Sequence, residues 1–305
     1  MTDIRKPKEG SLAFRPRKRA SSLIPRINYW PEYDDNALLG FAGFKVGMLT
    51  VGYISNEPGP RKGMEVVTGA TVVEVPPMKV YGIRAYNRHR IYDEFTENKE
   101  FLKPLNIKKN KIDSSIPENE YKQLRLLMYA QPHLTGIGTK HIYRMEIALS
   151  GNLEYARSML GKELSVSDVF KEGMFVDVIA ITKGKGWQGP VKRFGVSLQR
   201  RKATGKRRHV GVIGQFRPGY VMYTAPQAGQ MGFHKRTELN KWIMKIGINP
   251  DEINLKGGFP HYGMLKSHYL LLKGSIPGVP KRLVRFRFAV RRQEVVKPEI
   301  TFISR

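Results

Sequence analysis

Seven stretches of the chain alternate apolar with polar residues or run apolar with many β-branched side chains. They are "FKVGMLTVGYIS" from Phe44, "MEVVTGATVVEV" from Met64, "KVYGIRAY" from Lys79, "IYRMEIAL" from Ile142, "MFVDVIAIT" from Met174, "HYLLLKGSI" from His268 and "LVRFRFAV" from Leu283. Side chains along a strand point to opposite faces in turn, so both patterns predict strands, and Gly or Pro bounds most of them. Seven such runs predict a closed β-barrel or a sandwich. A 3.6-residue spacing occurs less often. "PENEYKQLRLLMYAQ" from Pro117 carries Pro early, acids in its first turn and a stripe of Tyr121, Leu124, Leu127 and Met128, so it predicts a helix. "NLEYARSML" from Asn152 predicts a second helix, and "ELNKWIMKIG" from Glu238 a third, stopped by Gly247.

Between Ile181 and His268 the pattern fades. Strands flank this gap, so the barrel predicted here is built from both sides of a long excursion, and a loop that long is uncommon unless it is functional. The chain divides into a basic N-terminal extension (1–40), the first part of the barrel (41–182) with an α/β insertion near 90–160, a basic extension with a finger loop (183–265), and a return to the barrel with a basic C-terminal segment (266–305). The expected fold class is therefore mainly β with an α/β insertion, a barrel domain carrying long basic extensions.

Charge explains the excursion. The chain has 305 residues with 53 Lys and Arg against 26 Asp and Glu, a formal net charge of +27. Solubility needs far less, so a polyanionic partner is implied. Between Asp177 and Glu238 there is no acid but thirteen bases: Lys183, Lys185, Lys192, Arg193, Arg200, Arg201, Lys202, Lys206, Arg207, Arg208, Arg217, Lys235 and Arg236. Trp187, Phe194, Phe216, Tyr220, Tyr223 and Phe233 interleave with them. Cations for phosphates and flat rings for unstacked bases are the composition of RNA-contacting surfaces. Further basic runs stand at "FRPRKRA" (Arg15, Arg17, Lys18, Arg19) and "KRLVRFRFAVRR" from Lys281. Acid gathers instead in "IYDEFTENKE" and "IDSSIPENEYK".

Enzyme chemistry finds little support. Gly184-x-Gly186-x-x-Gly189 follows a strand and imitates a dinucleotide fingerprint, but the acid required about 20 residues later is missing, and further glycines oppose a following helix. There is no H-E-x-x-H, G-x-S-x-G or phosphate-loop motif, and the seven His residues are dispersed. Asp34 and Asp35 read as an acidic surface turn, and Asp177 as a hydrogen-bonding group at the barrel rim. Zero Cys removes disulfides and thiolate metal sites. No cofactor and no metal is expected. "MTDIRKPKEGSLAFRPRKRA" has no apolar signal region, and no apolar run reaches the roughly 18 residues of a membrane helix, so a cytoplasmic protein with no membrane partner is expected.

"VDVIAITKGKGWQGPVKRFG", "GKRRHVGVIGQFRPGYVMY" and "QAGQMGFHKRTELN" resemble the central blocks of the universal large-subunit ribosomal protein three family, and "GSLAFRPRKRA" resembles its archaeal and eukaryotic N-terminus. The resemblance spans nearly the whole chain, and the length is that of an archaeal-type member. It implies a translation-protein type β-barrel, early binding during subunit assembly, and extensions that enter the ribosomal RNA toward the peptidyl transferase centre. Partners so implied are large-subunit rRNA, neighbouring large-subunit proteins and, indirectly, tRNA and elongation factors. On this resemblance Lys183, Lys185 and Lys192 fit the rRNA-packed base of the extension. Arg207, Arg208, His209 and Arg217 fit the flanks of a finger, and His234, Lys235 and Arg236 its return. Phe216 matches the tip aromatic near the tRNA accommodation path, where many relatives carry Trp. Trp187 either covers the barrel edge or stacks on a base.

Two further classes stay open on the residues alone: an RNA-modifying enzyme with a basic docking arm, and a chromatin-type DNA binder.

Overall fold

The computed structural model of the chain describes residues 10–56, 59–88, 90–107, 116–117, 121–217 and 219–304. The first residues of the basic N-terminus, His89, and the acids Asp113, Glu118 and Glu120 of the acidic segment lie outside the described residues. The described part is mainly β. Its first strands are β1 (Ala37–Leu38), β2 (Gly40–Ile54), β3 (Glu65–Glu74), β4 (Met78–Tyr86), β5 (Ile91–Phe95), β6 (Gln123–Ala130), β7 (Tyr143–Ser150) and β8 (Glu163–Leu164). They are followed by β9 (Phe175–Ile181), β10 (Trp187–Gln188), β11 (Gly229–Gln230), β12 (Lys235–Gly247), β13 (Tyr269–Lys273), β14 (Leu283–Phe288) and β15 (Glu299–Ile303). Three short helices are α1 (Lys99–Leu102), α2 (Leu153–Met159) and α3 (Pro190–Phe194).

Two compact units emerge: Leu23–Ala180 with Arg236–Arg305, and Met1–Ser22 with Ile181–Lys235. In the larger unit, hydrogen-bonded neighbours run β14, β9, β12, β13, β3, β2, and β2 pairs β14 again, so six strands close into a barrel. The length of β2 makes the closure possible. Its first half pairs β14 from Gly40 to Phe44, while its second half pairs β15 from Val51 to Ile54. Closure removes the exposed edges that an open sheet would present. Fully buried Phe41, Phe44, Val72, Val176, Val178, Leu270, Leu272 and Phe286 belong to its core.

A second sheet of the same unit, ordered β1, β7, β6, β4, β5 with β8 on β4, is the α/β insertion. Apart from β1, its strands lie between Met78 and Leu164, so the segments from Lys79 and Ile142 belong to this sheet and are not barrel strands. The segment from Pro117, expected to be a helix, forms β6 over its described later part. Its side chains are buried on both faces. Leu126 and Met128 join the main core, while Leu127 and Tyr129 pack with Phe101, Leu102 and Leu105 on and after α1. A strand covered on both sides needs a nearly continuous apolar run, and such a run contains i, i+3 and i+4 coincidences that imitate a helix stripe. The predicted second helix is present as α2.

The third predicted helix is strand β12, lodged between β9 and β13. Trp242, Ile243 and Met244 are buried there, and the Trp242 indole N–H donates to the Val296 carbonyl at 2.8 Å. Gly247 is not a helix stop; a Cβ at that position would collide with the Tyr269 ring, its cross-strand partner. This strand places residues 236–265 in the larger unit, and the smaller unit takes the N-terminal arm through Ser22. Asp177, expected as a hydrogen-bonding group, is fully buried in β9 and its carboxylate accepts from Arg287 and from the Asn240 backbone. Asp34 and Asp35 lie in an exposed bend.

Candidate nucleic-acid interface

The smaller unit is organised by a narrow antiparallel ribbon. Thr182 N–H donates to the His234 carbonyl at 3.0 Å, Lys185 N–H to Met231 at 2.9 Å, and Met231 N–H to Gly186 at 2.9 Å, before β10 pairs β11 through Trp187 with Gln230 and Gln188 with Gly229. Glycine is demanded by this close approach. At Gly232, with φ of +71°, a Cβ would strike the Lys183 carbonyl. The glycines that imitate a dinucleotide fingerprint therefore belong to a two-stranded ribbon and to the five-residue helix α3, which Gly189 precedes, Pro190 starts and left-handed Gly195 ends. A short helix does follow the glycines, contrary to expectation, but it is too brief for a dinucleotide fold.

Arginine and aromatic side chains fasten the N-terminal arm to this ribbon. The Arg193 guanidinium donates to the carbonyls of Gln230 (3.1 Å), Gln227 (2.9 Å) and Arg17 (3.2 Å). Both Arg193 and Arg17 lie over the Phe194 ring, at 5.1 and 4.9 Å from its centre, and Arg15 lies over Tyr223 at 4.8 Å. Burial, with the nearby Arg15 charge, lowers the Arg193 pKa from its ordinary value. Burial alone does the same at Arg236. His234 is buried, and its Nδ1 stands 3.0 Å from the Lys18 carbonyl; that oxygen can only accept, so Nδ1 carries the proton. Ala20 N–H donates to the Phe233 carbonyl at 2.9 Å.

The site residues expected from the sequence thus separate into two groups. Arg15, Arg17, Arg193 and Arg236 are partly buried and His234 is buried. Lys18, Arg19, Lys183, Lys185, Trp187, Lys192, Arg200, Arg201, Lys202, Lys206, Arg207, Arg208, His209, Phe216, Arg217 and Lys235 are exposed. Gln199 and Arg207 close a loop: Gln199 N–H donates to the Arg207 carbonyl at 3.0 Å, and Arg207 Nε returns to the Gln199 carbonyl at 3.3 Å. Arg200, Arg201, Lys202 and Lys206 fill the turn between them. Beyond it Phe216 is 94% exposed. Trp187 is 77% exposed, which does not fit a ring buried as a cover.

No Asp or Glu occurs among the described residues of this unit. The sequence did not reveal that Arg193 and His234 hold backbone rather than face outward. Only the partner carbonyls, distant in the chain, distinguish them from their exposed neighbours. Among the described residues no group of three or more His, Cys, Asp or Glu could hold a metal ion, and no helix is long and apolar enough to cross a membrane.

Comparison with known proteins adds a lineage to this geometry. A family model described as Ribosomal protein L3 matches residues 1–92 and 92–302. The large ribosomal subunit protein uL3 of Archaeoglobus fulgidus is 48% identical, with 94% of this chain and 92% of that protein covered. Its counterparts in Methanocaldococcus jannaschii and Methanosphaera stadtmanae are each 43% identical, over 99% and 100% of this chain and 97% and 98% of theirs.

Proposed function

The chain belongs to the ribosomal protein L3 family, and from that premise we propose that it is a structural constituent of the large ribosomal subunit that binds large-subunit rRNA, acts in the cytoplasm and performs no catalysis of its own. The observation that carries this reading is the smaller unit: an arm, a ribbon and a loop with many exposed cations and no described carboxylate. Charge of one sign without internal compensation is neutralised by phosphates, and the exposed rings of Trp187, Phe216 and Tyr220 offer stacking surfaces for unpaired bases. Further proposals follow from the family. The loop around Phe216 extends toward the peptidyl transferase centre and the tRNA accommodation path, the protein joins early in subunit assembly, and neighbouring large-subunit proteins contact the barrel unit.

A groove-reading DNA binder fits less well, because the longest helix described in the basic unit is the five-residue α3. The test is sedimentation of tagged protein from a lysate of its own or a closely related archaeon. Co-migration with large subunits through a high-salt wash is expected. Recovery in a salt-labile DNA fraction or as free protein would overturn the reading.

A further inference from the structure

The smaller unit contains a cleft of about 330 Å³ between the N-terminal arm and the returning limb of the loop, with Arg15, Arg17, Arg193, Phe194, Met222 and Tyr223 in its wall. This volume is at the low end of the roughly 300–1,000 Å³ typical of small-molecule sites. Its arginines are not equivalent. Arg193 is committed to three backbone carbonyls, and Arg17 donates to the Ser11 carbonyl at 2.6 Å while lying on Phe194. Arg15 lies over Tyr223, yet its Nε–H is buried and makes no hydrogen bond among the described residues. A buried, unanswered guanidinium N–H is a penalty that an incoming acceptor removes.

Ring geometry completes the case. Tyr223 is 71% exposed although Arg15 lies over it, so much of the ring is open to a second flat partner. An anion is favoured where guanidinium groups gather without a described carboxylate, and a flat, apolar-faced group is favoured on the ring. One ligand chemistry carries both features: a nucleotide with its base unpaired.

We infer that this cleft receives one unpaired nucleotide of single-stranded RNA, its base stacked on Tyr223 and its phosphate held by Arg15. Stacking and a phosphate contact do not read base edges, so the site accepts any base. The inference rests on the RNA-binding function proposed above and assigns one point of that contact.

The full-length protein is titrated with a short single-stranded RNA carrying one 4-thiouridine, irradiated, and the crosslinked peptide identified by mass spectrometry. Uridine monophosphate and a duplex of the same sequence are titrated alongside. The expected crosslink lies at Met222 or Tyr223. Tyr223→Ala weakens single-strand binding about 5- to 150-fold, while Tyr223→Phe, which keeps the ring, binds as the parent. Arg208→Ala, outside the cleft, serves as the charge control and leaves the crosslink in place. If Tyr223→Ala is misfolded by circular dichroism, the crosslink position in the unaltered protein decides. A crosslink elsewhere, or unchanged affinity in folded Tyr223→Ala with salt-sensitive binding intact, overturns the cleft assignment and leaves RNA binding standing. Equal affinity for the monophosphate, or equal Tyr223 dependence with the duplex, also overturns it. Loss of all salt-sensitive RNA binding by the unaltered protein would remove the broader reading as well.

Discussion

Asp177 and Arg287 are direct partners across the β9–β14 pairing, and both are buried in the barrel wall. The carboxylate accepts from Arg287 Nε at 3.1 Å and Nη2 at 3.0 Å, and also from the backbone N–H of Asn240 at 3.0 Å. Arg287 donates onward to the Tyr29 carbonyl at 2.6 Å. One acid thereby ties β9, β12 and β14 together just before the chain leaves the barrel. Removing it strands a guanidinium out of reach of water, so Asp177→Ala should lower unfolding stability by about 3–5 kcal/mol. Chemical denaturation checks this; a loss under about 1 kcal/mol would show that water or rearrangement satisfies Arg287. A double change to apolar residues of similar volume should recover part of the loss.

The insertion sheet carries a pH-sensitive cluster. Burial pushes the Glu146 carboxyl upward, but hydrogen bonds from Tyr86, Arg125 and Arg84, with the Arg84 charge, outweigh it and hold its pKa below the ordinary value. A carboxyl depressed in the folded state contributes stability above its unfolded pKa of about 4.3, and the contribution disappears as pH falls through the lower folded value. The unaltered protein should therefore lose stability on acidification below about pH 4, and Glu146→Gln should be less stable at neutral pH but lose less on the same acidification. Urea midpoints at both ends of that range test it. Parallel losses in the two proteins would assign the acid sensitivity to other groups.

Legibility of the fold followed burial. Strands with one clean pattern, such as β2, β3 and β14, can be read directly because alternation or a bounded β-branched run has few other meanings. The two strands mistaken for helices, β6 and β12, fail for opposite reasons. β6 is apolar on both faces and so matches any period, whereas β12 is a barrel strand whose first half is mostly exposed and polar and whose buried part, Trp242 to Met244, is too short to show alternation. Barrel closure is a non-local property of β14 meeting β2, over 230 residues apart in the chain, and leaves no local trace. The candidate interface was legible as composition, because an acid-free stretch needs no geometry to be noticed. The division of its arginines into backbone anchors and exposed groups was not, since Arg193 differs from Arg208 only in what surrounds it.

That division predicts separable phenotypes. Arg193→Ala removes three hydrogen bonds to carbonyls of Gln230, Gln227 and Arg17 and should loosen the ribbon and arm together, raising the rate of tryptic cleavage between residues 196 and 229 in RNA-free protein. Arg193→Lys should rescue little, because an ammonium cannot reproduce a planar fork. Exposed Arg208, changed to Ala, should leave the rate of cleavage at the remaining Lys and Arg sites of that stretch unaltered and weaken RNA binding instead. Similar protease patterns for Arg193→Ala and Arg208→Ala would mean that the guanidinium knot does not order the unit.

Phosphate neutralisation fixes a salt dependence. If about eight of the thirteen bases in the acid-free run meet phosphates, the logarithm of the association constant for large-subunit rRNA should fall with the logarithm of salt at a slope of about −6. Filter binding across a salt series measures it. A slope shallower than about −2 would show that the unit is held mainly by uncharged contacts.

Phe216 gives the sharpest separation between holding RNA and acting on function. Its ring is 94% exposed, beside exposed Arg217 and near Val212, which is 87% exposed, in a stretch without helix or strand. No ring contact is made by it among the described residues, so Phe216→Ala should change the stability of the free protein by less than about 0.5 kcal/mol. Assembly should also survive, because Lys206, Arg207, Arg208 and Arg217 still flank the loop. What should change is the step that the loop tip reaches. On the family resemblance this is accommodation of aminoacyl-tRNA, and removal of a stacked ring is worth about 1–3 kcal/mol where the ring meets a base. Subunits carrying Phe216→Ala should therefore bind A-site tRNA more weakly, while Phe216→Trp, which keeps and enlarges the stacking face, should behave nearly as the parent. Reconstituted subunits of matched protein composition allow the comparison. Equal A-site affinity and elongation rate in all three would make the exposed ring a passive one, and the unit's task would then end at its phosphate contacts.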